Sequence, residues 1–126
     1  MNIYQPDANF DHVGGAGPWR GHRWGREQAL TRKNRFKVRH LIVRPGCSIT
    51  QQGHYHRAEH WIAVSGCGRI TIGGAQQELR ENQSVHIPAC TAHALENHGR
   101  IDLHLIEVQT GGYLDDDDLM AVRDPS

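Results

Sequence analysis

Short strand-like runs separated by chain breakers dominate the sequence from residue 36 onwards, and this pattern limits the fold more than any other feature. The runs have three to eight residues, too few for most helices but typical of strands. In the last run, Ile101, Leu103 and Leu105 alternate with Asp102 and His104, as in a strand with one buried face. The runs are residues 36–43, 61–64, 69–72, 85–87 and 101–108, and the breakers include Pro45-Gly46, Ser65-Gly66, Gly73-Gly74, Glu81-Asn82 and Asn97-His98-Gly99.

This spacing predicts an all-β domain, a sandwich or barrel of short strands with a tight hairpin at Gly73-Gly74. We expect one domain, because the chain has 126 residues and shows no internal repeat. Residues 1–25 are rich in Gly, Pro, Asp and Trp without a hydrophobic period, and are predicted to form an N-terminal arm. The barrel is then expected over residues 26–114. An acidic tail follows at residues 115–126, in which residues 117–122 favour a short helix.

Charge and composition exclude several classes of function. Fourteen Lys and Arg residues balance fourteen Asp and Glu residues, whereas nucleic-acid binders usually have a basic excess. No segment approaches the roughly 20 apolar residues of a membrane helix, and the first residues lack the basic and apolar regions of a signal peptide. The three cysteines form no C-x-x-C pair, which argues against a disulfide framework. We therefore expect a soluble, cytoplasmic protein without nucleic-acid or membrane partners.

Histidine is unusually frequent, with ten residues, and its densest segment carries a metal-site prediction. In a strand, His54 and His56 project from the same face, so that two imidazoles converge on one point. A third ligand is expected from Glu59 or His60, and a fourth from His93, which follows its own turn signal. Such a set suits a divalent metal ion, with Zn expected first and Mn, Fe, Co or Ni as alternatives, and leaves positions open for substrate oxygens.

The same residues resemble the cupin superfamily, whose first motif contains two His, a Glu and a Gly, and whose second contains a Pro, a His and an Asn. The resemblance implies a double-stranded β-helix, or jelly-roll barrel, with the metal in its mouth. Residues 59–66 are predicted as one uninterrupted strand, which keeps Glu59 on the ligand face and turns His60 away from it. The matching residues are His54, His56, Glu59 and Gly66, then Pro88, His93 and Asn97.

A longer match from residue 24 to residue 113 resembles the cupin domain of type II mannose-6-phosphate isomerases. In that family the domain commonly follows a mannose-1-phosphate guanylyltransferase, for which this chain has no room, so we expect a stand-alone cupin. The residues that carry the resemblance are Gln52-x-His54-x-His56-Arg57-Ala58-Glu59-His60-Trp61-x-x-Val64-Ser65-Gly66, Glu81-Asn82-x-Ser84, Ile87-Pro88, His93-x-Leu95-Glu96-Asn97 and Leu105-Ile106-Glu107-Val108-Gln109-x-Gly111-x-Tyr113-Leu114.

The resemblance implies a metal-dependent sugar-phosphate isomerase that interconverts mannose 6-phosphate and fructose 6-phosphate. This reaction moves a proton between C2 and C1 through an enediol, and it requires an electrophile, a base and an anion anchor. A metal would be the electrophile. Glu59 cannot easily act both as a metal ligand and as a free base, so His60, Glu107 and Lys37 are the candidate catalytic bases.

The sugar-phosphate substrate is expected to contact Arg57, Arg44 and Gln52. Arg57 is favoured for the phosphate over Arg44 and Arg39, because it borders the predicted ligands and because a guanidinium matches phosphate oxygens.

Two other functions remain open from the sequence. An iron-dependent dioxygenase could use the same set of three His and one Glu, and a carbohydrate-binding or regulatory cupin would bind a ligand without turnover. Exposed edge strands and the aromatic N-terminal arm further predict a homodimer.

Overall fold

The computed structural model describes residues 16–51, 53–54 and 56–114. These residues form ten strands, and within them no helix is long and apolar enough to cross a membrane. Strand pairing is antiparallel throughout. The strands are β1 (Trp19–His22), β2 (Gly25–Arg32), β3 (Phe36–Val43), β4 (Ser48–Gln51), β5 (Arg57–Ser65), β6 (Gly68–Ile72), β7 (Ala75–Leu79), β8 (Ser84–Ile87), β9 (His93–Glu96) and β10 (Leu103–Gly111).

Two sheets enclose one apolar core. The larger sheet has the order β1-β2-β3-β10-β5-β8, and the smaller has the order β4-β9-β6-β7. Each sheet is amphipathic, so the two inner faces remove their apolar side chains from water by packing against each other. This architecture confirms the predicted all-β barrel. The core residues are Leu41, Val43, Ile49, Trp61, Ala63, Ile70, Leu79, Ile87, Leu95, Leu103 and Leu105.

The five predicted runs overlap β3, β5, β6, β8 and β10. The hairpin prediction is also confirmed, because Ile72 pairs with Ala75 and the two glycines between them have φ values of 55° and 91°. The sequence pattern does not predict β7, because only Leu79 among its five residues is buried. A strand with nearly every side chain in water shows no hydrophobic alternation.

The N-terminal boundary differs from the prediction. β1 lies inside the range assigned to an arm, and it pairs with β2 from Trp19↔Gln28 to His22↔Gly25. None of the β1 side chains is buried, which explains why this strand lacks a hydrophobic period. The barrel therefore includes residues before position 26. Residues 1–15 of the predicted arm, and the tail with its expected helix at 117–122, lie outside the described residues.

Inward-facing positions change from charged to apolar along the three central strands of the larger sheet. Because side chains alternate with period two, every second residue of these strands points into the barrel. One end of the barrel, here called the barrel mouth, is therefore lined by buried polar groups, and the other half is filled by the apolar core. From mouth to core the inward residues are Lys37, Arg39, Leu41 and Val43 on β3, Arg57, Glu59, Trp61 and Ala63 on β5, and Gln109, Glu107, Leu105 and Leu103 on β10.

The end of the barrel opposite the mouth is closed by a buried amide. Asn97 is 1% exposed, and its Nδ2 donates to the carbonyl oxygens of Val43 at 2.8 Å and Ile101 at 2.9 Å. Its Oδ1 accepts from the Gly99 amide at 3.0 Å. One side chain thus ties the end of β3 to the loop that precedes β10, and it satisfies backbone groups that water cannot easily reach.

We expect Asn97→Ala to lower the free energy of unfolding by about 2 kcal/mol, because the two carbonyls lose a buried donor. Urea denaturation followed by circular dichroism measures this change. The control is Asn34→Ala at an exposed position, which is expected to change stability by less than about 0.5 kcal/mol. Equal stability of the two variants would contradict the proposed role of Asn97.

Candidate functional site

Four buried side chains meet at the barrel mouth around Glu59. Glu59 Oε1 lies 3.0 Å from His93 Nε2, and Glu59 Oε2 lies 3.8 Å from His54 Nε2. Arg57 Nη2 lies 2.8 Å from His54 Nε2 and 3.5 Å from Glu59 Oε2. None of these residues is more than 3% exposed, so water screens their mutual interactions only weakly.

Two loops bring the cluster together. The Cys90 amide donates to the His54 carbonyl at 2.7 Å, which joins the loop before β5 to the loop before β9. Gly53 has a φ of +102°, and a Cβ there would lie 2.9 Å from the Thr91 amide nitrogen. Only glycine permits both the conformation and the close approach. As a result His54 lies near His93, the first residue of β9.

In both His54 and His93, the ring nitrogen that faces Glu59 is Nε2. His93 Nδ1 donates to the Thr91 carbonyl at 2.9 Å, which directs Nε2 towards Glu59. An arginine can only donate, so His54 Nε2 accepts from Arg57. A ring nitrogen held by a backbone carbonyl is the arrangement that fixes the tautomer of many metal-binding histidines.

Burial and neighbouring charges change the pKa values within this cluster. Burial raises the pKa of Glu59, and the negative charge of Glu107 raises it further, while the hydrogen bond with His93 opposes the shift. Burial lowers the pKa of His93, but the hydrogen bonds with Glu59 and Thr91 outweigh it, so the net pKa is raised. Both shifts favour the retention of a proton between the two side chains.

A second buried network supports the first. Glu107 is completely buried and accepts from Arg39 Nε at 2.7 Å, Trp61 Nε1 at 2.8 Å and Gln109 Nε2 at 2.7 Å. Gln109 Nε2 also lies 3.3 Å from Glu59 Oε2, which connects the two networks. The other end of the Arg39 guanidinium donates to Glu27. Two carboxylates therefore balance Arg39, and the network holds Glu59 in place.

The three residues predicted as candidate catalytic bases lie in different surroundings. Burial raises the pKa of Glu107, but the Arg39 charge and three hydrogen bonds reduce it to about 2, so Glu107 is a weak base with occupied oxygens. His60 lies on the outer face of β5, exposed and stacked on His86 with ring centroids 4.6 Å apart. Lys37 Nζ donates to the Leu114 carbonyl at 3.3 Å, and its role as a base stays a prediction.

The predicted convergence of His54 and His56 relies on a continuous strand that the structure does not show at these residues, and the ligand role of His56 stays a prediction. His56 is exposed, and its ring centroid lies 6.1 Å from that of Tyr113. The prediction assumed a continuous strand, but β4 ends before this segment and β5 begins after it. Side chains alternate between the two faces of a strand only where the strand is continuous. Within β5, Glu59 is 1% exposed and faces inwards, while His60 faces outwards.

Of the predicted substrate contacts, only Arg57 is described at the barrel mouth. Arg44 follows β3 at the opposite end of the barrel and donates to the Arg23 carbonyl, so the structure contradicts its assignment to the site. Gln52 lies outside the described residues. Sequence analysis did not identify the supporting roles of Glu27 and Gln109, although the alternation along β10 places Gln109 on the same face as Glu107.

The donor set at the mouth fits a divalent metal in its chemistry. Imidazole nitrogens from His54 and His93 and a carboxylate from Glu59 are ligands that Zn and similar ions prefer. Within residues 16–51, 53–54 and 56–114, no three such side chains have the spacing of a formed metal site. Arg57 Nη2 instead lies against two of the donors. His54 Nε2 has one lone pair, so a metal and Arg57 compete for it.

The two-sheet barrel with polar residues at its mouth is the fold of cupins. KdgF from Halomonas sp. superimposes with a TM-score of 0.72 at 15% sequence identity, covering 82% of this chain and 92% of that one. Such a likeness establishes the fold. It confirms the jelly-roll class predicted from the sequence.

Sequence comparison then gives the family. The family described as mannose-6-phosphate isomerase, C-terminal, matches residues 18–124, and the chain belongs to it. The chain is similar to a mannose-1-phosphate guanylyltransferase of Klebsiella pneumoniae, with 45% identity over 80% of this chain and 21% of the relative. It is also similar to the alginate biosynthesis protein AlgA of Pseudomonas aeruginosa, with 45% identity and the same coverage. The chain thus spans about a fifth of the length of these curated relatives.

Proposed function

We propose that this chain interconverts mannose 6-phosphate and fructose 6-phosphate, with a divalent metal held by His54, Glu59 and His93. One observation carries the proposal: two imidazoles and a carboxylate converge, buried, at the mouth of a barrel that belongs to this family. The metal, with Zn first among the candidates, would polarise the substrate carbonyl and stabilise the negative charge of the enediol.

The surrounding side chains prepare the site for this chemistry. Gln109 and the Thr91 carbonyl orient Glu59 and His93, so the ligands need little rearrangement when they bind a metal. Metal binding to His54 Nε2 would displace Arg57 Nη2, because that nitrogen has a single lone pair. The released guanidinium edge would then be free to contact substrate.

A coupled assay for fructose 6-phosphate formation tests the proposal. Protein stripped with a chelator is expected to be inactive, and to recover turnover when it is reloaded separately with Zn, Mn, Fe, Co or Ni. We expect His93→Ala to lose both bound metal and turnover. The matched control is His86→Ala, which removes an exposed imidazole from the outer face of the larger sheet and is expected to keep both.

Metal content measured by mass spectrometry, together with the activity assays, distinguishes the isomerase from the two alternative functions. Stoichiometric metal without turnover of mannose 6-phosphate would contradict the isomerase and favour a carbohydrate-binding cupin. Oxygen uptake by the iron-loaded protein would favour a dioxygenase. Full metal retention in His93→Ala would contradict the ligand assignment.

A further inference from the structure

The outer face of the larger sheet is an apolar surface with almost no permanent charge. Side chains alternate along each strand, so the residues between the inward-facing ones point away from the barrel. Among the outward residues of the six strands that the structure describes in this sheet, Arg26 alone carries a permanent charge. The exposed and half-buried apolar residues on this face are Trp19, Phe36, Val38, Ala58, Ile62, Val64, Ile106 and Val108.

We infer that this outer face is the interface of a homodimer, in which the same face of a second copy of the chain covers it. The sequence predicts a homodimer through edge strands and the N-terminal arm, whereas this inference uses the centre of the larger sheet. The pairing is independent of the proposed function. Glu59 and His60 are neighbours on β5 but point to opposite faces, so a dimer built on the His60 side leaves the barrel mouth open.

Exposed apolar side chains are concentrated on this face and are continuous across it. On β10, Ile106 pairs with Ile62 of β5. One step along the same face, Val108 pairs with Val38 of β3. Contiguous exposed apolar patches mark sites of association on soluble proteins. Of the six large apolar residues that are exposed in the described part of the chain, the four on this face are Trp19, Phe36, Ile62 and Val64.

The size of the face agrees with what a stable dimer needs. Four of its strands have eight or nine residues, and the two edge strands have four. With a rise of about 3.3 Å per residue and a strand spacing of about 4.8 Å, the face covers about 700 Å². Stable interfaces bury about 800 Å² of each partner, and side chains have more accessible area than the plane beneath them. A single extended peptide would cover only the width of about one strand.

The charge distribution favours a second copy as the occupant. Near a two-fold axis each charge meets a charge of the same sign, so a surface that pairs with itself must be nearly neutral at its centre. Arg26 lies on β2, towards the β1 edge, and its guanidinium is 5.2 Å from the centroid of the Trp19 ring. Its charge can therefore stay in water at the rim of the interface. A strongly charged partner would find no opposite charges around Ile106.

Four histidines on this face make the pairing sensitive to acid. His60 stacks on His86, and His40 Nε2 lies 3.0 Å from His104 Nδ1. A hydrogen bond between two imidazoles needs one bare nitrogen, so at least one of that second pair is neutral. Burial lowers the pKa of His40, and the charges of His104 and Arg26 lower it further. On the described strands, the titratable or charged groups that face these histidines are the histidines themselves and Arg26. Acid would therefore place unpaired charges inside the interface.

Sedimentation velocity of the full chain over a range of protein concentrations tests the interface. At pH 7.5 we expect a species with twice the mass of one chain. Ile62→Glu is expected to raise the dissociation constant of the dimer by at least about 100-fold, because it buries two carboxylates without partners. The matched control is Ile101→Glu, which adds the same charge at a residue 63% exposed in the loop before β10. We expect its dissociation constant to stay within about twofold of wild type.

Circular dichroism checks that each variant is folded. Ile62 is 37% exposed in the single chain, so the glutamate has access to water in the monomer. If Ile62→Glu does not fold, Val64→Glu at a residue 49% exposed replaces it with the same expected result. At pH 5.5 the wild-type chain is expected to remain folded, while the dissociation constant of the dimer rises by at least about 10-fold.

NMR of a sample mixed from ¹³C-labelled and unlabelled chains identifies the contact surface directly. Nuclear Overhauser effects between the two kinds of chain are expected at the methyl groups of Ile62, Ile106 and Val108, and not at Ile101. A monomer at every concentration would overturn the inference, and contacts from Ile62 to residues 1–15 or 115–126 would then show that the chain covers its own face. A dimer that Ile62→Glu leaves intact would also overturn it, because the interface would lie elsewhere, as at the edge strands. A dissociation constant that is equal at pH 7.5 and pH 5.5 would overturn the role of the histidines.

Discussion

Arg39→Met is expected to lower the free energy of unfolding by about 3–5 kcal/mol, the largest loss of stability that we predict. Arg39 is buried and contacts two carboxylates at once, Glu107 through Nε and Glu27 through Nη1. Methionine keeps most of the apolar stem but leaves both carboxylates buried without their cation. The cost is therefore electrostatic rather than a matter of packing.

Chemical denaturation of matched variants isolates this effect. Arg69→Met is the control, because Arg69 also contacts two carboxylates, those of Glu78 and Glu96, but at a half-buried position on the smaller sheet. We expect it to cost about 1 kcal/mol or less. Adding Glu107→Gln to Arg39→Met should recover part of the lost stability, since one unpaired charge disappears. A loss of less than about 1 kcal/mol in Arg39→Met would show that the buried network does not stabilise the barrel.

Stability against pH gives an independent measure of the same network. The pKa of Glu107 is about 2 in the folded chain and is close to 4.5 when unperturbed, so the unfolded state binds the proton more readily. This difference stabilises the fold above about pH 4.5, and the contribution, about 3 kcal/mol, is lost as the pH falls towards 2. Urea denaturation from pH 7 to pH 3 should show this decline in wild type. Glu107→Gln should show a weaker decline over the same range.

The barrel could be predicted from the sequence because apolar and polar residues alternate along its central strands, and this alternation shows which face of each strand is buried. In β10 the alternation of Leu103 and Leu105 with polar residues gives the buried face directly, and extending it predicts that Glu107 and Gln109 face inwards. The same rule distinguishes Glu59 from His60 in β5. It fails for β1 and β7, because strands whose side chains are mostly in water carry no such pattern.

The site was predicted only in part, because its geometry depends on loops and on partners from distant strands. The structure brings His54 and Glu59 together at the mouth, whereas His56, in the turn between them, is exposed, and residue spacing does not determine how a turn is arranged. Glu107 is one of three candidate bases in the sequence analysis, because Glu59 cannot easily act both as a metal ligand and as a free base. Its role changes because Arg39, 68 residues away in sequence, lies beside it and lowers its pKa. Such a contact follows from strand order and register.

Glu59→Gln is expected to reduce the proposed turnover of mannose 6-phosphate by at least about 100-fold without loss of stability. Glutamine has the shape of glutamate, and its amide can donate to His93 Nε2 while its oxygen accepts from Gln109. Burial and the Glu107 charge raise the pKa of Glu59, so the folded state disfavours its ionised form. Removal of that charge should leave the free energy of unfolding at pH 7 equal or higher.

If Glu107→Gln and Glu59→Gln have opposite effects on the free energy of unfolding, the comparison distinguishes a stabilising carboxylate from a functional one. Glu107→Gln should lower stability, because its pKa is reduced in the folded chain, whereas Glu59→Gln should not, because its pKa is raised. The two variants share chemistry, burial and a common partner in Gln109, so each is the control for the other. Carboxylates whose ionised form is disfavoured by burial are concentrated at functional sites. Wild-type turnover in Glu59→Gln would rule out this cluster as the catalytic centre.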